Sequence, residues 1–471
     1  MDIKLTFYGA AQNVTGSKFL LQADGTNILV DCGMYQERQF KERNWKPFPF
    51  PPKSVNAVFL THAHLDHCGL LPKLAKEGFS GPIYCTQATA DLAKIILLDS
   101  AKLLEEDAEH KRKRHEKEGR KSPYPEVPPY TIADVQACLP LFKPLEYDQP
   151  LNLTTGVQAI LYNAGHVLGS SIVAVRVGPN PPTPDTRSIL FTGDMGRPNR
   201  PIIGDPEIFD KADYVVVEST YGDRVHDDSA DTGQQLADII NSTRKAGGNI
   251  VIPSFALERS QEVLYFLGGL MRSKKIKPIK IYLDSPMASK ITDVFRKHTD
   301  LYDPEMVELL KNHHSPFELP GLKCTSTAEQ SKAINKLKRP VIIIAGSGMC
   351  TGGRIKHHLV NNISRPESTI LFVGYQATGT LGRQILDGQK QVRIFGNFHP
   401  VRANVQAIHS FSAHADKNEL LTWLKKIQSP PKEIFVVHGE PESSASLVDY
   451  LHSNTGWNVV APKYLQQIKL N

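Results

Sequence analysis

The segment VNAVFLTHAHLDHCG (55–69) constrains this chain more than any other, because an apolar run of strand length delivers His62, His64, Asp66 and His67 into one short stretch of loop. Neutral imidazoles and a carboxylate form a zinc-type donor set. Residues at i and i+2 of an extended backbone point the same way, so His62 and His64 can face one ion. The plain alternative is a solvated histidine-rich turn, which one cluster alone does not exclude. Two further strand tips weaken that alternative: NAGHVLGS (163–170) offers His166 and LFTGDMG (190–196) offers Asp194. His62, His64, His166 and Asp194 can complete one site, while Asp66, His67 and Asp194 hold a second ion, with Asp194 bridging. Two divalent ions about 3.5 to 4 Å apart activate a hydroxide and stabilise both oxygens of a displacement, so the expected chemistry is hydrolysis.

The scaffold reads as layered α/β. KLTFYGA and KFLLQADGTNILVDCG predict a hairpin turning at Asp24-Gly25, and TGVQAILYNAGH, SSIVAVRV, RSILFTGD and ADYVVVEST repeat the plan of apolar strand and polar tip. Helical patterns cover 70–77 and 88–109. After Glu218 the texture changes to parallel βαβ units, with helices expected over 234–245 and 260–271. The tip-bearing style returns at HSFSAHAD (409–416) and EIFVVHGE (433–440), the order that one domain inserted into another produces. PNPPTPD (179–185) reads as a surface loop.

Composition excludes several classes. At roughly 100 to 200 residues per domain, 471 residues give two to four domains. Six cysteines without a C-x-x-C pair argue against a disulfide scaffold or zinc ribbon and fit a reducing cytoplasm. There is no signal-peptide pattern and no apolar run near the roughly 20 residues a membrane span needs. The net charge of +6 is mild, so any nucleic-acid footprint has to be local.

VDCG (30–33), HAHLDH (62–67), GH (165–166) and TGD (192–194) resemble the four ordered motifs of the metallo-β-lactamase superfamily. VVVESTYGDR (215–224), SFSAHAD (410–416) and VVHGE (436–440) resemble motifs A, B and C of its β-CASP nucleases, closest to bacterial and archaeal relatives of the 73-kDa cleavage and polyadenylation endonuclease. The resemblance implies a metallo-β-lactamase αββα sandwich over 1–220 and 409–471, with an α/β β-CASP domain over 221–408 inserted. It makes Asp31 the residue that orients the ligand loop and His438 a further ligand of the second metal. The candidate catalytic residues are Asp66, Glu218 and His414, with His414 protonating the leaving oxygen and Glu218 orienting it. Two Zn2+ per chain, a single-stranded RNA substrate in the cleft between the domains, and products with 5′-phosphate and 3′-hydroxyl ends follow from the same resemblance. It leaves room for a homodimer or an RNA-processing assembly. His438 favours RNA, since DNA-repair members carry Val there. The alternatives are a small-molecule thioesterase or lactonase, a DNA nuclease, and a silent RNA-processing scaffold.

Phosphate contacts are expected from VIIIAGSGMCTGGR (341–354), where Gly346, Ser347 and Gly348 leave a strand and Arg354 and Lys356 follow, and from Arg383 in GYQATGTLGR (374–383). Arg259 is a third basic position near a helix start. The run HKRKRHEKEGRK (110–121) reads as a solvated face or a salt-sensitive RNA contact. His357, His358, His399 and His409 read as structural or surface histidines, and all six cysteines as packing residues.

Overall fold

The computed structural model describes residues 2–119, 126–179, 182–226, 231–337, 340–377 and 379–471. The chain forms two compact units. The first comprises Met1–Asn199, Asp205–Val225 and Ala413–Asn471, and the second Arg200–Gly204 and His226–Ser412.

The first unit is built on two seven-stranded sheets. Its DYVVVE segment shows why an uninterrupted apolar run suits it. In the strand Tyr214–Glu218, Tyr214 and Val216 enter the core between the sheets, while Val215 and Val217 pack on the other face with Leu420, Leu424, Leu447 and Leu451 of the helices Lys417–Leu424 and Pro441–Thr455. A strand buried on both faces has no polar side to alternate. The inter-sheet core is aromatic at its centre, with Phe7 5.9 Å from Phe19 and 5.5 Å from Phe435, and Phe19 stacked 6.4 Å from Phe191. The predicted hairpin forms with Ala23 opposite Thr26, and Asp24 and Gly25 both take positive φ.

Topology gathers the polar tips. Val157–Asn163, Arg187–Phe191, Tyr214–Glu218 and Glu433–Val437 run in one direction within the second sheet, so the residues after them leave by the same edge. In the first sheet Thr26–Val30 and Ala57–Phe59 are parallel neighbours, which puts Asp31 beside the residues that follow Phe59.

The second unit holds a six-stranded parallel sheet in the order Leu322–Cys324, Lys280–Leu283, Val341–Ala345, Ile250–Pro253, Thr369–Phe372, Asn404–Ala407. Helices Thr232–Ala246 and Arg259–Arg272 extend the expected spans by one to two residues at each end. Cys324 departs from the packing role expected of it: it is exposed because its strand is the edge of this sheet. The helix expected over 88–109 runs on through Gln87–Glu118, carrying the described part of the basic run on an exposed face. Arg120 and Lys121 of that run, Asn180 and Pro181 of PNPPTPD, and Thr378 lie outside the described residues. No helix among the described residues is long and apolar enough to cross a membrane.

Candidate metal centre

The ligand loop is clamped from below. Cys32 N–H donates to the His67 carbonyl (2.8 Å), Met34 N–H to Leu65 (3.0 Å) and Ser17 N–H to Asp66 (2.9 Å). A Cβ at Gly33 would lie 1.6 Å from the Asp66 carbonyl oxygen, so only glycine lets the two segments meet. Asp31, fully buried, accepts from Thr61 N–H (2.8 Å) and Thr61 Oγ1 (2.9 Å), and its Oδ2 lies 2.7 Å from His67 Nδ1.

Two groups of donor atoms result. In the first, His64 Nδ1 lies 3.0 Å from His62 Nε2 and 3.3 Å from His166 Nε2, and Asp194 Oδ2 lies 3.4 Å from His62 Nε2 and 3.5 Å from His166 Nε2. In the second, His67 Nε2 is 3.1 Å from both His438 Nε2 and Asp194 Oδ1, and His438 Nε2 is 3.5 Å from both Asp66 Oδ2 and Asp194 Oδ1. Asp194 therefore turns one oxygen to each group. Four donors about 2.0 to 2.1 Å from a tetrahedral ion are separated by about 3.3 Å, which the first group matches; in the second, Asp66, His67 and His438 converge within 4.8 Å of one another and Asp194 Oδ1 approaches His67 and His438. Asp194 Oδ1 is buried among the ring nitrogens of His67 and His438, so a cation placed between them would satisfy all three donor atoms at once.

The far ring nitrogens are held too. Thr61 Oγ1 is 3.1 Å from His62 Nδ1, Thr220 Oγ1 is 3.1 Å from His438 Nδ1, and the Ala413 carbonyl is 3.4 Å from His166 Nδ1. Such partners fix which nitrogen faces the metal. Thr61 and Thr220 were not foreseen as site residues; their only sequence signal is adjacency, Thr61 to His62 and Thr220 two positions after Glu218.

Electrostatics separates the two groups. Burial, aided by the charge of His67, pulls His62 down to about 3, and burial pulls His64 down to about 4 against nearby carboxylates. Burial and His414 hold His166 well below its ordinary value. These imidazoles are neutral and ready to ligate. In the second group burial acts in the same direction, but Asp194 and Asp31 outweigh it at His67, and Asp194 and Asp66 at His438, so both are raised. Burial would raise Asp66 and Asp194, yet the facing imidazoles hold both well below the usual carboxylate range.

Beside the ligands stands a carboxylate–imidazole pair. Glu218 is fully buried; its Oε1 accepts from Met195 N–H (2.6 Å) and its Oε2 from Thr220 N–H (3.3 Å), and His414 Nδ1 lies 3.0 and 3.1 Å from the two oxygens. Glu218 oxygen, Asp194 and His438 also approach within 4.8 Å, but the Glu218 oxygens are already engaged by these donors. His414 precedes the helix Lys417–Leu424, which Asp416 caps.

The basic positions of the second unit have other partners. Arg354 donates to Asp284 (2.7 Å) and to the carbonyls of Thr325 and Ser326, Arg383 to Asp387 (2.8 Å), and Lys356 lies 4.7 Å above the Phe395 ring. Arg259 is buried and paired with Glu262, because its helix start is packed under Phe411. Gly346, Ser347 and Gly348 form the turn after Val341–Ala345, where Ser347 Oγ accepts from Gly352 N–H (3.2 Å). His358 is structural, fully buried against Asp284, whereas His357 lies against the exposed Phe395 ring.

Three family models match this sequence: a metallo-beta-lactamase superfamily domain over residues 20–179, a Beta-Casp domain over 260–385, and a Zn-dependent metallo-hydrolase RNA specificity domain over 399–462. The chain is 38% identical over 446 residues to Ribonuclease TTHA0252 of Thermus thermophilus, spanning 94% of this chain and 95% of that protein. It is 30% identical over 480 residues to Transcription termination factor FttA of Methanosarcina mazei, spanning 99% of this chain and 72% of that one. A crystal structure of a protein of unknown function from Enterococcus faecalis V583 shares the fold, with a TM-score of 0.54 at 12% identity and full coverage of both chains.

Proposed function

The chain belongs to the β-CASP family of metallo-β-lactamase-fold ribonucleases, and from that premise we propose that it hydrolyses RNA phosphodiester bonds with two zinc ions. His62, His64, His166 and Asp194 Oδ2 would hold one ion, and Asp66, His67, His438 and Asp194 Oδ1 the other. The bound ions supply water activation and neutralise charge on the phosphoryl oxygens. The observation that carries this reading is the pair of donor groups joined through the two oxygens of Asp194.

The protein's own groups do the rest. Glu218 is fixed by two main-chain N–H donors and holds His414 by Nδ1, so the proton delivered to a departing ribose 3′-oxygen comes from Nε2. A 3′-alkoxide leaves poorly unless it is protonated, which assigns His414 to catalysis more than to binding. Asp31 and Thr61 orient imidazoles without meeting substrate. The turn at Gly346, Ser347 and Gly348, with Lys356 and Arg383, supplies phosphate contacts in this proposal; Arg354 holds the turn through Asp284. Asp66 serves as ligand to the second ion, and its catalytic role is exerted there.

A cytoplasmic setting is supported by six free thiols. The same proposal carries a homodimer or an RNA-processing assembly, which sedimentation of the purified chain tests. The decisive experiment incubates zinc-loaded protein with matched labelled RNA and DNA strands and a thioester panel. Cleavage of RNA alone is expected; turnover of thioester or DNA in its place would move the assignment to the small-molecule hydrolases or the DNA nucleases. Circular, 5′-monophosphate and 5′-triphosphate RNA then separate endonucleolytic from 5′-to-3′ attack.

A further inference from the structure

An aromatic ring stands exposed where the parallel sheet of the second unit ends. Val341–Ala345, Ile250–Pro253 and Thr369–Phe372 are adjacent and parallel, so their carboxyl ends share one edge, the edge at which open α/β sheets receive ligands. The middle strand leads through Ser254 into Phe255. The strand on one side leads into Gly346-Ser347-Gly348, and the strand on the other into Gly374-Tyr375.

Phe255 is 38% exposed, yet it is firmly placed. Its carbonyl accepts from Ser260 Oγ (2.7 Å) and Ser254 Oγ (3.2 Å). One edge of its ring rests on Gly348, where a Cβ would come within 2.6 Å of ring carbon, and beside Gly374, where the distance would be 3.4 Å. Gln376, buried at 3% exposure, ties the two flanking turns together by donating from Nε2 to the carbonyls of Gly348 and Gly374, each at 3.0 Å. Tyr375, 45% exposed, follows directly. Five residues thus secure a ring that stays more exposed than a large apolar side chain in a core.

We infer that Phe255, flanked by Tyr375, is a stacking platform for one nucleobase of single-stranded RNA. This rests on the ribonuclease reading above and names how that substrate is gripped. Two features favour a base over a peptide side chain. The support is a fixed ring resting on a tight glycine turn. The turn it touches is the one expected to meet phosphate, so ring and turn match the two alternating parts of a nucleotide strand. Stacking tolerates any base, since each presents a π-face.

The test compares wild type, F255A, F255L and F255W, each confirmed folded by thermal melting, on a fluorogenic oligoribonucleotide. F255A and F255L should raise KM by about 5- to 100-fold, the range expected for a lost stacked base, with kcat within about threefold of wild type. F255W should restore KM, and its added fluorescence over the three native tryptophans should be quenched by oligouridine. Wild-type KM in F255L would show that apolar bulk suffices and would overturn the platform, and so would an unquenched F255W. A wild-type KM in F255A would give the ring to the fold or to a protein partner. If wild-type protein leaves every RNA intact, it is the ribonuclease reading that fails.

Discussion

Nδ1 of His414 lies 3.0 and 3.1 Å from the two oxygens of Glu218, a carboxylate with no exposure to solvent. Burial alone would pull the imidazole below its ordinary value, but the Glu218 charge and hydrogen bond outweigh it and raise His414 to about 9. A general acid works only while protonated, so activity should fall as pH rises through the pKa of this group. E218Q keeps the shape and removes the charge. The imidazolium then unloads at lower pH, and the basic limb of the kcat profile should move downward. A limb that stays in place would separate Glu218 from proton delivery.

Removing the imidazole itself gives a different signature. H414A should lower kcat by roughly 100-fold or more, the usual scale of a lost general acid, while zinc content stays near two per chain. Elemental analysis beside single-turnover kinetics reads both quantities. Loss of metal would make His414 a ligand.

Asp194 is the one residue whose two oxygens serve both donor groups. D194A should strip one or both ions and abolish turnover. Because the facing imidazoles hold the Asp194 carboxyl well below the usual carboxylate range, the variant also removes a favourable charge pairing, and metal-free D194A should unfold at lower urea than metal-free wild type at pH 7. Full metal retention in D194A would exclude the bridging arrangement.

The convergence of donor side chains was legible because such residues at strand tips are written locally: His62, His64, Asp66 and His67 follow one apolar run, and His166, Asp194 and His438 each follow another. What orients them was less legible. Thr61 and Thr220 are ordinary residues in sequence, and only the folded backbone brings their hydroxyls to His62 and His438. The basic residues misled for the opposite reason. Arg259 and Arg354 read as anion contacts in sequence, but Arg259 pairs with Glu262 one helical turn further on, and the fold brings the distant Asp284 to Arg354. Phe255 carried no signal, since exposure of one aromatic depends on which turns flank it.

The two donor groups should load differently with pH. His62 and His64, at about 3 and 4, are neutral before metal arrives, whereas carboxylates raise His67 and His438, which therefore hold their protons to higher pH. Metal entering the Asp66–His67–His438 group must displace those protons, so its affinity falls more steeply as pH drops. Zinc titrations in buffers of different ionisation enthalpy should show greater proton release for one ion than for the other. The same ion should be lost first on acidification. D66A should abolish the steeper step; equal proton release for both ions would contradict the division.

Asp284 gives the second unit a comparable test of stability. This fully buried carboxylate accepts from Arg354 Nη1 (2.7 Å), Ser331 Oγ (2.5 Å) and Thr325 Oγ1, and lies 2.5 Å from His358 Nε2. Burial would raise its pKa, but the hydrogen bonds from His358, Ser331, Thr325 and Arg354 outweigh that and hold it well below the carboxylate range. A folded pKa below the unfolded value of about 3.9 contributes stability above that pH and loses it as pH falls toward the folded value. D284N keeps the volume but leaves Arg354 and His358 facing a neutral amide, which should cost roughly 3 kcal/mol or more at pH 7. In urea unfolding followed at pH 7, 5 and 3, the gap between wild type and D284N should be wide at the first two and narrow at the third. A gap independent of pH would mean that Asp284 contributes through shape and not through charge.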